Sequence, residues 1–125
     1  SGHAGVLEAF GVGGRFEGQA TATLAPERAA VGGTLDLSLT LRSSSPHEQK
    51  LLVDYAVHHV KANGGTSAKV FKGWSLVLAP GETRTLAKRH SLRPVTTRRY
   101  YPGPHAVEFL VNGTSVGQAT FWLDV

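Results

Sequence analysis

The chain has 125 residues, 41% of them hydrophobic and none of them cysteine. It can bury one globular core, but it cannot build a disulfide framework or a thiolate metal site. Lack of cysteine fits a reducing cytoplasm, and no apolar run approaches the ~18 residues of a membrane-spanning helix. The formal charge of +4 is unevenly spread: residues 58–105 hold nine basic residues against Glu82 alone, while the remainder is net acidic.

In chain order, Ser1-Gly2-His3 reads as a cloning remnant. Residues 4–18 read as a linker with the tail of a preceding domain, because Val6, Leu7 and Phe10 have helical spacing and Gly11 to Gly14 is glycine-rich. Residues 19–125 then alternate apolar and polar side chains in short segments, as half-buried strands do. Gln19 to Leu24 is a small-residue first strand. Thr34 to Arg42 sets Leu35, Leu37, Leu39 and Leu41 on one face, and Lys50 to Lys61 does the same with Leu51, Val53, Tyr55, Val57 and His59. Val70 to Leu78 changes face near Gly73-Trp74, which predicts a bulge. Thr83 to Leu92 is polar apart from Leu86 and Leu92. Ala106 to Val111 and a last strand with Ala119, Phe121 and Leu123 complete the set.

Pro80-Gly81 and Asn112-Gly113 mark tight turns. Seven such strands predict an all-β, immunoglobulin-like antiparallel β-sandwich. If each strand runs against its predecessor, the loops after the first, third and fifth strands share one end. Lys61 closes the third strand and Lys69 opens the fourth. The connection after the fifth holds Arg93, Arg98 and Arg99, followed by Tyr100 and Tyr101. Guanidinium groups match phosphate oxygens and aromatic rings can lie against sugars or bases. The DNA-binding candidates are therefore Lys61, Lys69, Arg93, Arg98, Arg99 and Tyr100. One tyrosine, Tyr101 by preference, is expected to tie down the corner before the sixth strand through its hydroxyl.

Catalytic patterns are not found. There is no nucleophile elbow and no phosphate loop, and Asp54 and Glu108 are expected on outward positions of separate strands. His58 and His59 are adjacent on a strand and point to opposite faces, so they cannot chelate together. His90 and His105 are expected to approach each other across the fifth and sixth strands, without a carboxylate to complete a metal site. No metal, cofactor or catalytic residue is expected.

Six runs, in order, carry a family resemblance: Leu52-Val53-Asp54-Tyr55, Val60-Lys61-Ala62-Asn63-Gly64, Lys69-Val70-Phe71-Lys72, Leu78-Ala79-Pro80-Gly81-Glu82, Thr97-Arg98-Arg99-Tyr100-Tyr101-Pro102-Gly103 and Val111-Asn112-Gly113. Together they resemble the C-terminal immunoglobulin-like domain of bacterial AlkC-type DNA alkylation repair proteins, glycosylases built on HEAT-like helical repeats. Gly73 stands where that pattern has a bulky apolar residue. The resemblance implies a non-catalytic accessory domain that contacts the DNA backbone and helps position the duplex. It also implies two partners, DNA and an N-terminal helical-repeat domain of the same chain, and no membrane association. Two other readings remain open: a structural cap on the helical repeats, with Trp122 and Leu110 outward, or an extracellular carbohydrate- or protein-recognition module.

Overall fold

The computed structural model describes residues 14–96 and 99–125. The expectations for Ser1-Gly2-His3, for Val6 to Phe10 and for Arg98 fall outside those residues. Eight strands follow in order: β1 (Gly18–Ala25), β2 (Arg28–Ala30), β3 (Thr34–Ser43), β4 (Gln49–Val60), β5 (Thr66–Leu78), β6 (Thr83–Ser91), β7 (Gly103–Val111) and β8 (Thr114–Asp124). They form a three-stranded sheet, β1-β3-β6, packed on a five-stranded sheet, β2-β8-β7-β4-β5. Every pairing is antiparallel except that of β2 along β8.

The seven-strand expectation omitted β2. Three residues are too few for alternation to register, and only Ala29 among them is buried.

The predicted inward residues do build the core. Leu35, Leu37, Leu39 and Leu41 on β3 face Leu51, Val53, Tyr55 and Val57 on β4 and Val107, Phe109 and Val111 on β7, all essentially inaccessible to solvent. Burying each aliphatic side chain of this kind contributes about 1.5–3 kcal/mol.

Two turns hold as their residues predict. Pro80 and Gly81 (φ 71°) make a tight turn closed by the Glu82 amide donating to the Ala79 carbonyl at 3.0 Å. Asn112 (φ 49°) and Gly113 (φ 83°) form a two-residue hairpin loop between β7 and β8, where positive φ matches the strand twist. The Asn112 side chain accepts from the Leu52 amide at 2.9 Å and donates to the Gly14 carbonyl at 2.9 Å, so it fixes where the chain enters the fold.

The predicted bulge in β5 is Gly73. Val53 pairs with Trp74 and Asp54 with Lys72, which leaves Gly73 as the extra residue. A Cβ there would stand 2.8 Å from the Val53 carbonyl oxygen, so a bulky residue has no room at this position in this chain.

β5 also begins earlier than expected, at Thr66 rather than Val70. Its first five residues are exposed, because this edge strand overhangs the narrower opposite sheet. Neither face is buried there, so no alternation marks the strand. Lys69 consequently does not open β5 but sits inside it, opposite Val57.

Candidate nucleic-acid interface

Three connections meet at one end of the sandwich. The Gly32 amide donates to the Leu92 carbonyl at 3.0 Å and the Leu92 amide to the Gly33 carbonyl at 2.9 Å, joining the β2–β3 turn to the exit of β6. The β4–β5 turn is closed by the Lys61 amide donating to the Gly65 carbonyl at 2.8 Å. Its entry lies against the start of β7, where a Cβ on Gly103 would be 3.6 Å from the Val60 side chain. Lys61, Arg93 and Arg99 are exposed around this end. The acids nearby are largely engaged: Asp124 takes Arg28 at 2.7 Å, and Asp36 takes Arg89 at 3.1 Å.

The β6–β7 connection is held from below by aromatic packing. The Tyr100 ring lies 5.7 Å from the ring of His59, and its hydroxyl donates to the Arg93 carbonyl at 3.1 Å. Among the described residues the hydroxyl tie at this corner is therefore made by Tyr100, where Tyr101 was expected. Tyr100 belongs to the framework that holds Arg93, and its hydroxyl is spent there. Tyr101 has another neighbour, the Arg99 guanidinium, 5.7 Å from its ring centroid in cation–π geometry.

Beneath the corner, His59 and His105 form an edge-to-face pair 5.6 Å apart, both nearly fully buried. His105 donates from Nε2 to the Tyr101 carbonyl at 3.1 Å and stacks on Phe121. Burial pushes its imidazole below the usual histidine range, against the smaller opposing effect of that hydrogen bond. His90 and His105 are not cross-strand neighbours as expected, because β6 and β7 lie in different sheets. His90 instead takes the Tyr55 hydroxyl at 3.0 Å, beside Phe71. His58 points to the outer face, where it meets Glu108 at 3.1 Å. Hydrogen bonds from Ser115 and His58 hold the Glu108 carboxyl below its ordinary range. Among the described residues no group of three or more histidines and carboxylates could hold a metal ion.

Lys69 is the candidate the structure moves. It stands three residues into β5 with its ammonium 5.3 Å from the Phe71 ring. Further along the same flank stands Lys88 on β6, not among the sequence candidates, whose ammonium is 5.7 Å from the Tyr55 ring and donates to the Lys72 carbonyl at 3.2 Å. The signal was present, since Lys88 and His90 share the inward face of β6 with Leu86.

Two sheets with this strand order, antiparallel apart from β2, a buried aromatic on β4 and a tyrosine-tied corner define an immunoglobulin-like sandwich domain. Known proteins narrow this class. Residues 19–125 match the family described as "Uncharacterised protein YhaZ, C-terminal Ig-like domain", and the chain belongs to that family. It is 33% identical over 91 residues to the uncharacterized protein YhaZ of Bacillus subtilis (strain 168), covering 73% of this chain and 25% of that one.

Among solved structures it is similar to the Pseudomonas fluorescens alkylpurine DNA glycosylase AlkC bound to DNA containing an abasic site analog. The TM-score is 0.91 at 38% identity, over 99% of this chain and 35% of that chain. A β-glucosidase from Listeria innocua matches with TM-score 0.68 at 15% identity, over 91% of this chain and 17% of its own, a likeness of fold alone. The chain thus spans a quarter of the Bacillus subtilis protein and about a third of the Pseudomonas fluorescens glycosylase.

Proposed function

We propose that this domain is a non-catalytic accessory module of a bacterial DNA alkylation repair protein, and that it grips the DNA backbone with its basic end. The observation that carries this reading is the convergence of Lys61, Arg93 and Arg99 on one end of a sandwich similar to part of a DNA-bound glycosylase. Arg98 belongs to the same loop by sequence and is included in the proposal. Exposed cations on turns position a duplex without reading its bases, so binding should be independent of sequence and steeply dependent on salt. Base excision would belong to the rest of the parent chain, an N-terminal helical-repeat region in the bacterial cytoplasm, joined through residues 4–18.

The test is binding of a fluorescein-labelled duplex of about ten base pairs by the 125-residue chain, at 50 and 150 mM salt. Arg93→Glu with Arg99→Glu should abolish binding at both salts while leaving the unfolding midpoint unchanged. Unaltered affinity of the charge-reversed variant would overturn the assignment of this end.

A second reading has one observation behind it. Leu52 (47% exposed) and Val77 (43%) make an apolar strip on the outer face of β4 and β5, with Leu110 on the neighbouring strand. The strip lies close to the point where Asn112 holds Gly14. A preceding domain could rest there while the opposite end stays free for DNA. Leu52→Glu would then weaken contact between the two regions without changing DNA binding by this domain alone.

A further inference from the structure

The side of the sandwich where β5 and β6 run as neighbouring edges is open, since both strands are the last in their sheets. Its walls are aromatic and its rims are cationic. Tyr55 and Phe71 stack at 5.2 Å with their planes 15° apart, and His90 meets both rings edge-on. Lys69 from β5 and Lys88 from β6 stand over these two rings from opposite sides of the opening. Lys88 spends one of its donors on the Lys72 carbonyl and so straps the two edges together. No carboxylate among the described residues pairs with Lys69, Lys72 or Lys88.

Lys69 lies three residues after the start of β5, and Lys88 three residues before the end of β6. At ~3.3 Å per residue Lys69 is on the order of 10 Å from the loop end of β5, and the Lys88 ammonium, held at the Lys72 carbonyl, lies on the order of 10 Å further down the flank. Along B-DNA those two positions correspond to about three and about six base-pair rises of ~3.4 Å.

From this geometry we infer that the β5–β6 flank is a second DNA phosphate site, in which Lys69 and Lys88 meet in succession the same backbone that the loop end engages, about three and about six nucleotides further along. The inference rests on the DNA reading proposed above and adds a direction to it: the duplex runs down the open flank rather than lying across the tip. The ligand is the phosphodiester chain. Ammonium groups have no fixed donor plane, so they suit phosphate at any rotation, and the rings beneath them keep the lysine stems extended. Lys72, on the outer side of the same edge, is a weaker contributor because its side chain faces away from the rings.

Inward-pointing lysines on edge strands also discourage edge-to-edge association, and the test separates that role from this one. Duplex affinity of the 125-residue chain is measured between 50 and 200 mM salt for the wild type and for the Lys69→Gln, Lys88→Gln and double variants. Each phosphate contact contributes a slope of about −0.9 in log K against log salt. Taking 1 M salt as the point where the effect vanishes, each variant should lose about 15-fold in affinity at 50 mM and about 6-fold at 150 mM. The double variant should flatten the slope by about 1.8. Unchanged slopes, with wild-type binding intact and still abolished by Arg93→Glu with Arg99→Glu, would overturn the flank site alone. Absence of any wild-type binding would overturn the DNA reading with it. Unchanged slopes accompanied by new self-association would assign the lysines to edge protection, again against the inference. Thermal midpoints of the variants, expected within about 2 °C of wild type, show that glutamine is tolerated at these exposed or half-exposed positions.

Discussion

Gly73→Ala adds one methyl group where the chain has least room for it. The new Cβ would stand 2.8 Å from the Val53 carbonyl oxygen and 3.9 Å from the Tyr55 ring. The closer neighbour is backbone in a strand paired on both sides, so it cannot swing away as a side-chain tip would. Overpacking of this kind costs about 1–3 kcal/mol. Against it stands the usual gain of about 0.4–1 kcal/mol when alanine replaces glycine at a compatible position, through a less entropic unfolded chain. The balance is a net loss of about 1–2 kcal/mol. With roughly 110 residues described and ~2.1 cal/mol/K of unfolding entropy per residue, the midpoint should fall by about 4–9 °C. Differential scanning calorimetry reads this directly, and Ser75→Ala, on the exposed side of the same strand, should stay within about 2 °C of wild type. An unchanged or raised midpoint for Gly73→Ala would refute the reasoning, because it would mean that the bulge accommodates a side chain.

Tyr100→Phe keeps the ring on His59 and loses only the hydroxyl bond to Arg93, so urea denaturation should show a loss of about 0.5–1.5 kcal/mol. Tyr101→Phe should be close to neutral, and a larger cost for Tyr101→Phe would return the corner tie to that residue. Stability should also fall as pH drops below about 6.5, the ordinary histidine value, because His105 is held neutral by burial while the unfolded chain takes up the proton. That contribution is complete above the unfolded value and is lost as pH falls through the depressed folded value. It precedes the acid loss expected from Glu82, Glu108 and Asp124, whose carboxyls are all lowered. Urea midpoints between pH 8 and 5 should decline for wild type and flatten for His105→Phe; parallel curves would show that His105 is not the group responsible.

Most of the sandwich was legible because burial on one face imposes a period of two. The four leucines of β3 and the alternating residues of β4 and β7 needed nothing else, and the glycine at the β5 face change located the bulge. Legibility failed where burial is absent or too brief. The overhanging start of β5 is polar on both faces, and β2 is held to β8 by backbone bonds over three residues. The site was harder for a different reason. Which of two adjacent tyrosines reaches a carbonyl depends on the path of an irregular loop, which no periodicity encodes. The His59–His105 contact follows from β4–β7 pairing, whereas the expected His90–His105 contact assumed that consecutive strands are neighbours. Lys88 became a candidate only once β5 and β6 were found as adjacent open edges.

The central claim is that the end carrying Lys61, Arg93 and Arg99 meets the DNA backbone. Its most direct test is a titration of the isotope-labelled 125-residue chain with a short duplex at 50 mM salt, followed through backbone amide shifts. The account predicts perturbations at residues 61–65 and 92–103, extending along Lys69 and Lys88 and reversing as salt rises to 200 mM. The opposite end, around Asn112 and Ala79 to Glu82, should stay still. Shifts confined to that opposite end, or none at all, would contradict it.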